Sequence, residues 1–199
     1  MVLVLLLVPE GSAVPHPPTR PRSALVVFES MFGNTGHLTR AVAAGLRGQG
    51  VDTLTLDVAI AAPPERVTAD LLVLGAPTHS GSLSDITTRA DAVRQGASSD
   101  RMIGGLREWL VHAHPDTAVH PGGVPVAAFD CRAHRLDPHR DAVDGAAPSA
   151  LAMAGLQGFV PHAEPEVFYV RDLLGPLAPG EMERAAAWGR RLARALVGV

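Results

Sequence analysis

The segment ALVVFESMFGNTG, residues 24–36, constrains the fold of this chain more than any other segment. A continuously apolar run at Leu25–Phe28 stops at Glu29, a loop of small and hydroxyl residues follows, and a helical pattern begins near Thr35. Strand, tight loop and helix in this order place a helix N-terminus directly beyond the end of a strand. The free N–H groups and the partial positive charge of such an end attract an anion.

The loop itself predicts which anion it binds. Ser30, Asn34 and Thr35 offer side-chain hydrogen bonds, and Gly33 lets the backbone approach a ligand closely. The loop lacks the lysine of a Walker A motif and the three-glycine spacing of a dinucleotide fingerprint. We therefore predict a site for a terminal phosphomonoester rather than for a triphosphate or a pyrophosphate.

Composition and charge bound the remaining classes of function. With 199 residues the chain is long enough for one well-buried domain and short for two. A formal net charge of -3 gives no broad basic face, which argues against nucleic acid as the main partner. The single cysteine, Cys131, rules out an internal disulfide framework and favours a reducing, cytoplasmic location.

Residues 1–22 are predicted to be a disordered extension outside the domain, which then spans residues 23–199. The apolar run Val2–Val8 is far shorter than a membrane span, no basic residue precedes it, and residues 9–21 are rich in proline and polar residues. We therefore expect no stable membrane insertion; a membrane or targeting role is the less favoured alternative.

The rest of the chain alternates between strand and helix patterns. Such alternation predicts an α/β fold with a parallel, doubly wound sheet. Five strands are expected at Leu25–Phe28, Val51–Val58, Leu71–Gly75, Val124–Phe129 and Glu166–Val170. Helices are expected at Thr35–Leu46, Ile103–Val111, Pro148–Leu156 and Met182–Leu196, the last with Met182, Ala185, Ala186, Gly189, Leu192, Ala193 and Leu196 on its apolar face.

At this point the sequence resembles a known family. The string SMFGNT, residues 30–35, is similar to the phosphate loop of flavodoxins, although Phe32 stands where a second hydroxyl is usual. The strings VVFES (26–30) and GLREWL (105–110) resemble a bacterial, FMN-binding subgroup with a flavodoxin-like domain. The resemblance implies a three-layer flavodoxin-like sandwich, a five-stranded parallel sheet in the order 2-1-3-4-5, and FMN as cofactor held in part by Met31 and Phe32.

The resemblance also assigns a first loop to the flavin ring, after the third strand. It consists of Pro77, Thr78, His79, Ser80 and Gly81, and the resemblance implies that the backbone of Gly81 faces the flavin N5 and stabilises the half-reduced state. No Trp or Tyr stands in this loop, so the usual aromatic sandwich around the ring is incomplete. His79 is expected to stack or to donate a hydrogen bond, and Met31 or Leu83 to cover the ring.

A second ring loop follows the fourth strand. The resemblance implies that Phe129 or Cys131 lies near the flavin edge and Asp130 near the pyrimidine N3. Arg132 is expected either to stabilise the reduced flavin near N1 or to be exposed to solvent.

Two other chemistries find little support in the residues. His112 with His114, and His134 with His139, lack the cysteine or carboxylate partners of a zinc site, so no metal is predicted. Cys131 has only His134 nearby in sequence as a base, which is weak support for a nucleophile.

The sequence thus favours an FMN-binding electron-transfer protein that exchanges electrons with a redox partner protein. Simple electron transfer needs no acid or base, so no catalytic residue is assigned. Two alternatives stay open. One is an FMN-dependent oxidoreductase acting between a nicotinamide donor and a quinone, and the other is a flavin-free interaction domain on the same fold.

Overall fold

The computed structural model describes residues 20–60, 62–133, 144–172 and 174–197. The strands are β1 (Ser23–Phe28), β2 (Asp52–Asp57), β3 (Leu71–Pro77), β4 (Pro125–Ala133), β5 (Val160–Pro161) and β6 (Glu166–Val170). The helices are α1 (Asn34–Arg47), α2 (Ile86–Arg94), α3 (Leu106–His112), α4 (Ala146–Leu156) and α5 (Glu181–Val197), with a 3-10 turn at Ser99–Met102.

The strands form one parallel sheet in the predicted order, β2-β1-β3-β4, with the fifth position beside β4. β1 lies between β2 and β3 in this sheet, and its residue Val26 pairs with Thr55 of β2 and with Val73 of β3. The fifth position is divided: β5 pairs with the start of β4 and β6 pairs with its end. The flavodoxin-like topology is therefore confirmed, with one strand more than predicted.

Alternating side chains of the sheet build two separate cores, which makes the molecule a three-layer sandwich. On β1, Ala24 and Val26 face the layer formed by α1 and α5, whereas Leu25 and Val27 face the layer formed by α3 and α4. Because both faces are covered, the central strands are continuously apolar, which is why the sequence predicted them well.

Three elements differ from the prediction. β4 continues to Ala133 instead of ending at Phe129, because β6 pairs with its last five residues. α2 was not predicted, since only Arg89 and Ala92 of its nine residues are buried and its apolar pattern is weak. On α5, Trp188 is buried whereas Met182, expected on the core face, is exposed. The link from β2 to β3 carries no helix at its described residues, 58–60 and 62–70.

The start of the described chain already contacts the domain. Arg20 and Arg22 both reach the carboxylate of Asp70, at 3.1 and 3.3 Å, and the N–H of Asp52 donates to the carbonyl of Arg22 at 2.8 Å. Contacts with the fold thus begin at least three residues before Ser23, the predicted boundary. Residues 1–19 lie outside the described residues. In the described part, no helix is both long and apolar enough to cross a membrane.

Candidate functional site

The carboxyl ends of β1, β3 and β4 open into a shared cavity of about 230 Å³. In an open parallel sheet this edge is where ligands bind. The sequence-predicted residues that line the cavity are Ser30, Met31, Phe32, Asn34, Thr35, Pro77, Thr78, His79, Ser80, Cys131 and Arg132. Gly33, Gly81, Phe129 and Asp130 are not among its lining residues.

Residues 30–35, which we call the phosphate cradle, form one end of the cavity. α1 begins at Asn34, and the preceding Gly33 is exposed with a φ of 89°, a left-handed angle that glycine adopts without strain. The Ser30 hydroxyl accepts the N–H of Gly36 at 3.3 Å. The N–H groups of Asn34 and Thr35 belong to the first turn and have no acceptor within the helix, so they are available to an anion.

The side chains of Asn34 and Thr35 serve different ends. Asn34 Nδ2 donates to the carbonyl of Leu174 at 3.0 Å, which turns the amide toward a neighbouring loop and away from a role as phosphate donor. Thr35 is buried at 2% exposure, and its hydroxyl is hydrogen-bonded to Cys131 at the end of β4. Both predicted side-chain donors on α1 line the cavity, and the amide of Asn34 is the one that also bonds to a neighbouring loop.

The loop after β3 is a tight hairpin. His79 and Ser82 exchange backbone hydrogen bonds of 2.9 and 3.0 Å, and the two residues between them have positive φ, 50° at Ser80 and 81° at Gly81. These angles define a type I′ turn. Ser80 lines the cavity and Gly81 does not, so the structure gives no support to the backbone role predicted for Gly81.

Two residues that the sequence analysis missed hold this hairpin in place. Arg107 donates to the Ser82 hydroxyl at 3.2 Å and to the carbonyls of Leu83 and Ser84 at 2.9 and 3.1 Å. Ser149 lies 3.0 Å from the same Ser82 hydroxyl. Leu83 is buried in the core, so of the two residues predicted to cover a ring only Met31 faces the cavity.

His79 is the titratable side chain of the hairpin. Burial and the positive charge of Arg89 lower the pKa of its imidazole, and Asp85 offsets part of this effect. The ring is therefore neutral at neutral pH and presents one donor and one acceptor.

Phe129, predicted near the flavin edge, belongs to the core instead. It is fully buried and packs edge-to-face against Phe168 and Trp188, with ring centroids 5.7 and 5.8 Å apart. Since residues 129–133 continue the strand, side chains alternate between the two faces of the sheet. Phe129 and Cys131 consequently point toward α1 and α5.

Asp130 and Arg132 form a buried ion pair. The Nε of Arg132 donates to Asp130 Oδ1 at 2.7 Å, and its Nη2 donates to Oδ2. The N–H of Ala147, in the first turn of α4, also donates to Oδ2 at 3.2 Å, and Arg132 Nη1 donates to the carbonyl of Asp144 at 2.7 Å. Burial raises the pKa of the Asp130 carboxyl, and Arg132 and Ala147 offset part of that rise.

This pairing corrects two predictions. Asp130 is fully buried and does not line the cavity, so it does not face a pyrimidine. Arg132 lines the cavity and is buried rather than exposed, and the carboxylate compensates its charge.

Cys131 is not an activated nucleophile. Burial, with the negative charges of Asp130 and Glu181, raises the pKa of its thiol to about 12. The side chain stays protonated at neutral pH, which removes the thiolate that nucleophilic chemistry requires. Of the histidines considered for a metal, His134 and His139 lie outside the described residues; within them, no group of three His, Cys, Asp or Glu residues is placed to hold a metal.

A face of α2 forms a wall of the cavity that the sequence analysis missed. Its lining residues are Thr88, Asp91, Ala92 and Gln95. Ala92 packs with Met31 and Phe32 of the phosphate cradle, which makes this side apolar near the cradle. The start of α2 does carry a signal, because Asp85 and Thr88 form a capping box with hydrogen bonds of 2.8 and 2.9 Å.

Comparison with known proteins agrees with the fold. No protein-family model matches the chain, and no curated protein matches it. Among solved structures, a flavodoxin from the domain Archaea is similar with a TM-score of 0.56 at 15% identity, over 88% of this chain and 99% of that one.

Two bacterial structures are similar to the same degree. Oxidised Flavodoxin 1 from Bacillus cereus has a TM-score of 0.57 at 16% identity, over 87% of this chain and 98% of its own. The flavodoxin of Streptococcus pneumonia TIGR4 has a TM-score of 0.56 at 18% identity, over 86% and 97%. The chain therefore has a flavodoxin-like fold along nearly the whole length of these proteins.

Proposed function

We propose that the chain binds FMN non-covalently and transfers electrons to and from redox partners. The phosphate cradle is the observation that carries this proposal. It combines free helix N-terminal amides with the hydroxyls of Ser30 and Thr35. The Arg132 side chain that lines the cavity is charge-compensated by Asp130. A single phosphomonoester suits such a cradle, because hydrogen bonds and the helix dipole supply the binding.

The remaining walls fit a flat, amphipathic ring. Met31 and Phe32 offer apolar surface on one side, while Pro77, Thr78 and His79 offer the hairpin backbone and an imidazole. FMN, when bound, would supply the redox chemistry, and the protein would bind, orient and shield it. We also propose that the chain exchanges electrons with redox partner proteins and that it does so in the cytoplasm.

Equilibrium titration with FMN, riboflavin and FAD tests the proposal. We expect FMN to bind more tightly than riboflavin by at least the worth of one hydrogen bond to a charged group, about tenfold or more. FAD, whose phosphates are not terminal, should bind more weakly than FMN. Equal affinity for FMN and riboflavin would exclude the cradle as the phosphate site, and no binding of either would favour the flavin-free interaction domain.

One observation supports the oxidoreductase as a second candidate. Among the described residues that line the cavity, Phe32 is the only Phe, Trp or Tyr, and it belongs to the cradle rather than to the hairpin. A ring without aromatic cover would leave a face open to a small substrate. Bleaching of the FMN-loaded protein by NADH or NADPH, with turnover when a quinone is added, would establish this activity over a simple electron carrier.

A further inference from the structure

The two sequence motifs VVFES and GLREWL meet in space beneath the cavity. Glu29, from the first motif, accepts the N–H of Leu106, from the second, at 2.7 Å through its Oε2. Arg89 of α2 joins them: its guanidinium donates to Glu108 at 2.9 and 3.2 Å and to the Ser84 hydroxyl at 3.0 Å. We call Glu29, Ser84, Arg89 and Glu108 the Glu29 cluster.

The cluster is packed so closely that it leaves no room for a side chain at Gly105. A Cβ at that position would lie 2.5 Å from Arg89 Nη1, 2.7 Å from Glu29 Oε2 and 2.8 Å from the Ser84 hydroxyl. Glu29 and Arg89 are each only 2% exposed. The Glu29 carboxyl and the Arg89 guanidinium therefore meet in a dry region between β1, α2 and α3, where electrostatic effects are stronger than in water, whereas the Glu108 side chain is 48% exposed.

The charges of the cluster do not balance when every group is ionised. Arg89 is the single cation, and Glu108 occupies its fork with both carboxylate oxygens. Glu29 receives one backbone N–H at Oε2, while its buried Oε1 has no hydrogen-bond partner in the described part of the chain. An ionised carboxylate with an unpartnered, buried oxygen is unfavourable, and protonation removes that cost.

The electrostatics of Glu29 agree with this geometry. Burial raises the pKa of its carboxyl, and the negative charge of Glu108 raises it further. Ser84, the N–H of Leu106 and the charge of Arg89 offset part of the rise.

The cluster is also tied to the cavity through two of its walls. Glu29 directly precedes Ser30, the first residue of the phosphate cradle, and its N–H is fixed to the carbonyl of Gly75 at 2.9 Å. Arg89 lies on α2, whose residues Thr88 and Asp91 line the cavity. A phosphate in the cradle would add two negative charges to the loop that begins directly after Glu29, whose carboxyl group is already poorly compensated.

We propose that binding of a phosphate dianion in the cradle is coupled to the uptake of a proton by Glu29. The inference rests on the proposed function, since it takes a phosphate as the ligand. Linkage makes the effect reciprocal: the protonated cluster binds the dianion more tightly, and the bound dianion holds the proton. FMN affinity should therefore decline as the pH rises through the range in which Glu29 ionises, by up to about tenfold per pH unit.

Calorimetric titration of the full chain with FMN and with inorganic phosphate measures the proton directly. Each titration is run from about pH 7 upward, where the second pKa of a phosphate, about 6, leaves the ligand mainly a dianion. Repeating it in buffers of different ionisation enthalpy gives the number of protons taken up. We expect a net uptake of protons, of at most one per ligand, with both FMN and inorganic phosphate and none with riboflavin.

Glu29→Gln identifies the group, because an amide keeps the shape of the protonated acid and an oxygen for the Leu106 N–H. The variant should bind FMN without proton uptake and with an affinity that no longer changes with pH. Asp100→Asn is the control, since it removes an exposed carboxylate that does not line the cavity; it should retain the uptake of the wild type.

The outcomes separate the two proposals. Uptake that persists in Glu29→Gln, or that vanishes in Asp100→Asn, overturns the role of Glu29. FMN binding without proton uptake at any pH in the wild type overturns the coupling and leaves the proposed function intact. If the chain binds inorganic phosphate with proton uptake but binds no flavin, the coupling to Glu29 is supported and the proposed FMN binding is overturned. Because the wild-type titration needs no substitution, the test stands even if Glu29→Gln does not fold.

Discussion

The phosphate cradle and the end of β4 border the same cavity, yet they treat their polar groups in opposite ways. In the cradle, the first amides of α1 belong to residues that line the cavity and have no acceptor within the helix, so they stay available to a ligand. At the end of β4, Asp130 and Arg132 satisfy each other and the first turn of α4. A residue that lines a cavity is thus not automatically a ligand residue, and what decides is whether its polar atoms are already occupied.

The difference has a physical origin. A helix N-terminus cannot satisfy its own first N–H groups, so a loop that leads into a helix is open to an anion by construction. A central strand is paired at both edges and covered by helices on both faces, so every charged group on it must find a partner inside the protein. Residues 129–133, which were expected to form the second ring loop, belong to such a strand because they pair with β6.

The largest effect should come from breaking the internal pair of β4. Asp130→Ala removes a fully buried carboxylate that pairs with Arg132 and accepts the N–H of Ala147, which should destabilise the protein by about 3–5 kcal/mol. Urea unfolding measures the change. Asp91→Ala, which removes a carboxylate from a more exposed pair with Arg94, is the control and should shift stability by no more than about 0.5 kcal/mol. Equal losses in the two variants would mean that the Asp130 pair is not structural.

A smaller but more specific effect is expected in the cradle. Thr35→Ala should weaken FMN binding by about 1.5–3 kcal/mol, roughly ten- to hundredfold, since it removes a hydrogen bond to a charged group. The capping position of α1 is Gly33 rather than Thr35, so loss of a helix cap does not contribute.

Thr39 provides the matched control for this substitution. It is buried one turn further along α1, and its hydroxyl has no hydrogen-bond partner among the described residues. Thr39→Ala should therefore leave FMN affinity unchanged. Isothermal titration of both variants, together with their urea midpoints, measures binding and folding separately. If Thr35→Ala lowers the midpoint without changing the corrected affinity, the hydroxyl serves only Cys131.

A third, weaker effect on stability is expected at the exposed ion pairs of Asp70, which can be compared with the buried pair of Asp130 and Arg132. Arg20 and Arg22 reach Asp70 from positions that are more than half exposed, so solvent screens both pairs. The double substitution Arg20→Ala with Arg22→Ala should cost about 1 kcal/mol or less. Removing residues 1–19, before the first described contact, should leave the thermal midpoint unchanged. A large loss on that truncation would mean that the extension belongs to the fold.

Acid should weaken the same contact. The hydrogen bonds from Ser23 and the charges of the two arginines outweigh burial and lower the pKa of the Asp70 carboxyl below its ordinary 3.8. A lowered carboxyl pKa stabilises the fold above that ordinary value and loses the contribution as the pH falls through the folded value. The double variant should therefore lose less stability than the wild type below about pH 4.

The sequence predicted the parts of this molecule that depend on local physics. The central strands, the loop at residues 30–35 and the helix after it depend on neighbours in the chain, whereas the order of the strands came from the resemblance to flavodoxins. The length of β4 depends on its pairing with β6, whose residues lie 37 positions from their partners in the chain, and the partners of Asp130 include the start of α4. α2 was missed because it buries little, although its capping box at Asp85 was there to be found.

The motifs VVFES and GLREWL resemble a known family, but the sequence alone does not explain what their residues do in the fold. Glu29 follows an apolar strand, and a charged residue there is commonly a solvated loop residue. Its burial becomes intelligible only once Leu106 and Arg89 are placed beside it. The buried charge is a tertiary feature, and residues adjacent in space but 60 or more positions apart in sequence leave no local pattern.

The smallest expected change in stability is at His79, on the hairpin that borders the cavity together with the phosphate cradle and the end of β4. Burial lowers the pKa of its imidazole below the ordinary 6.5, so between the folded and the ordinary value the unfolded chain binds more protons. The stability that depends on His79 is complete above about pH 6.5 and declines as the pH falls through that window. His79→Gln should therefore lose less stability than the wild type between about pH 7 and 5.

Glu29 acts in the opposite direction over an adjoining range, and this decides how the measurement must be made. Burial raises its carboxyl pKa above the ordinary 4.5, so the folded chain binds more protons there and gains stability as the pH falls. The two contributions partly cancel in the wild type, so a flat pH profile of the wild type alone would not distinguish them.

Urea midpoints of wild type, His79→Gln, Glu29→Gln and the double variant separate the two contributions. His79→Gln should flatten the decline in stability toward acid pH, and Glu29→Gln should steepen it. Parallel profiles for wild type and His79→Gln would show that the imidazole is as well solvated in the folded protein as in the unfolded chain, and the hairpin would then be open to water where the cradle and the end of β4 are not.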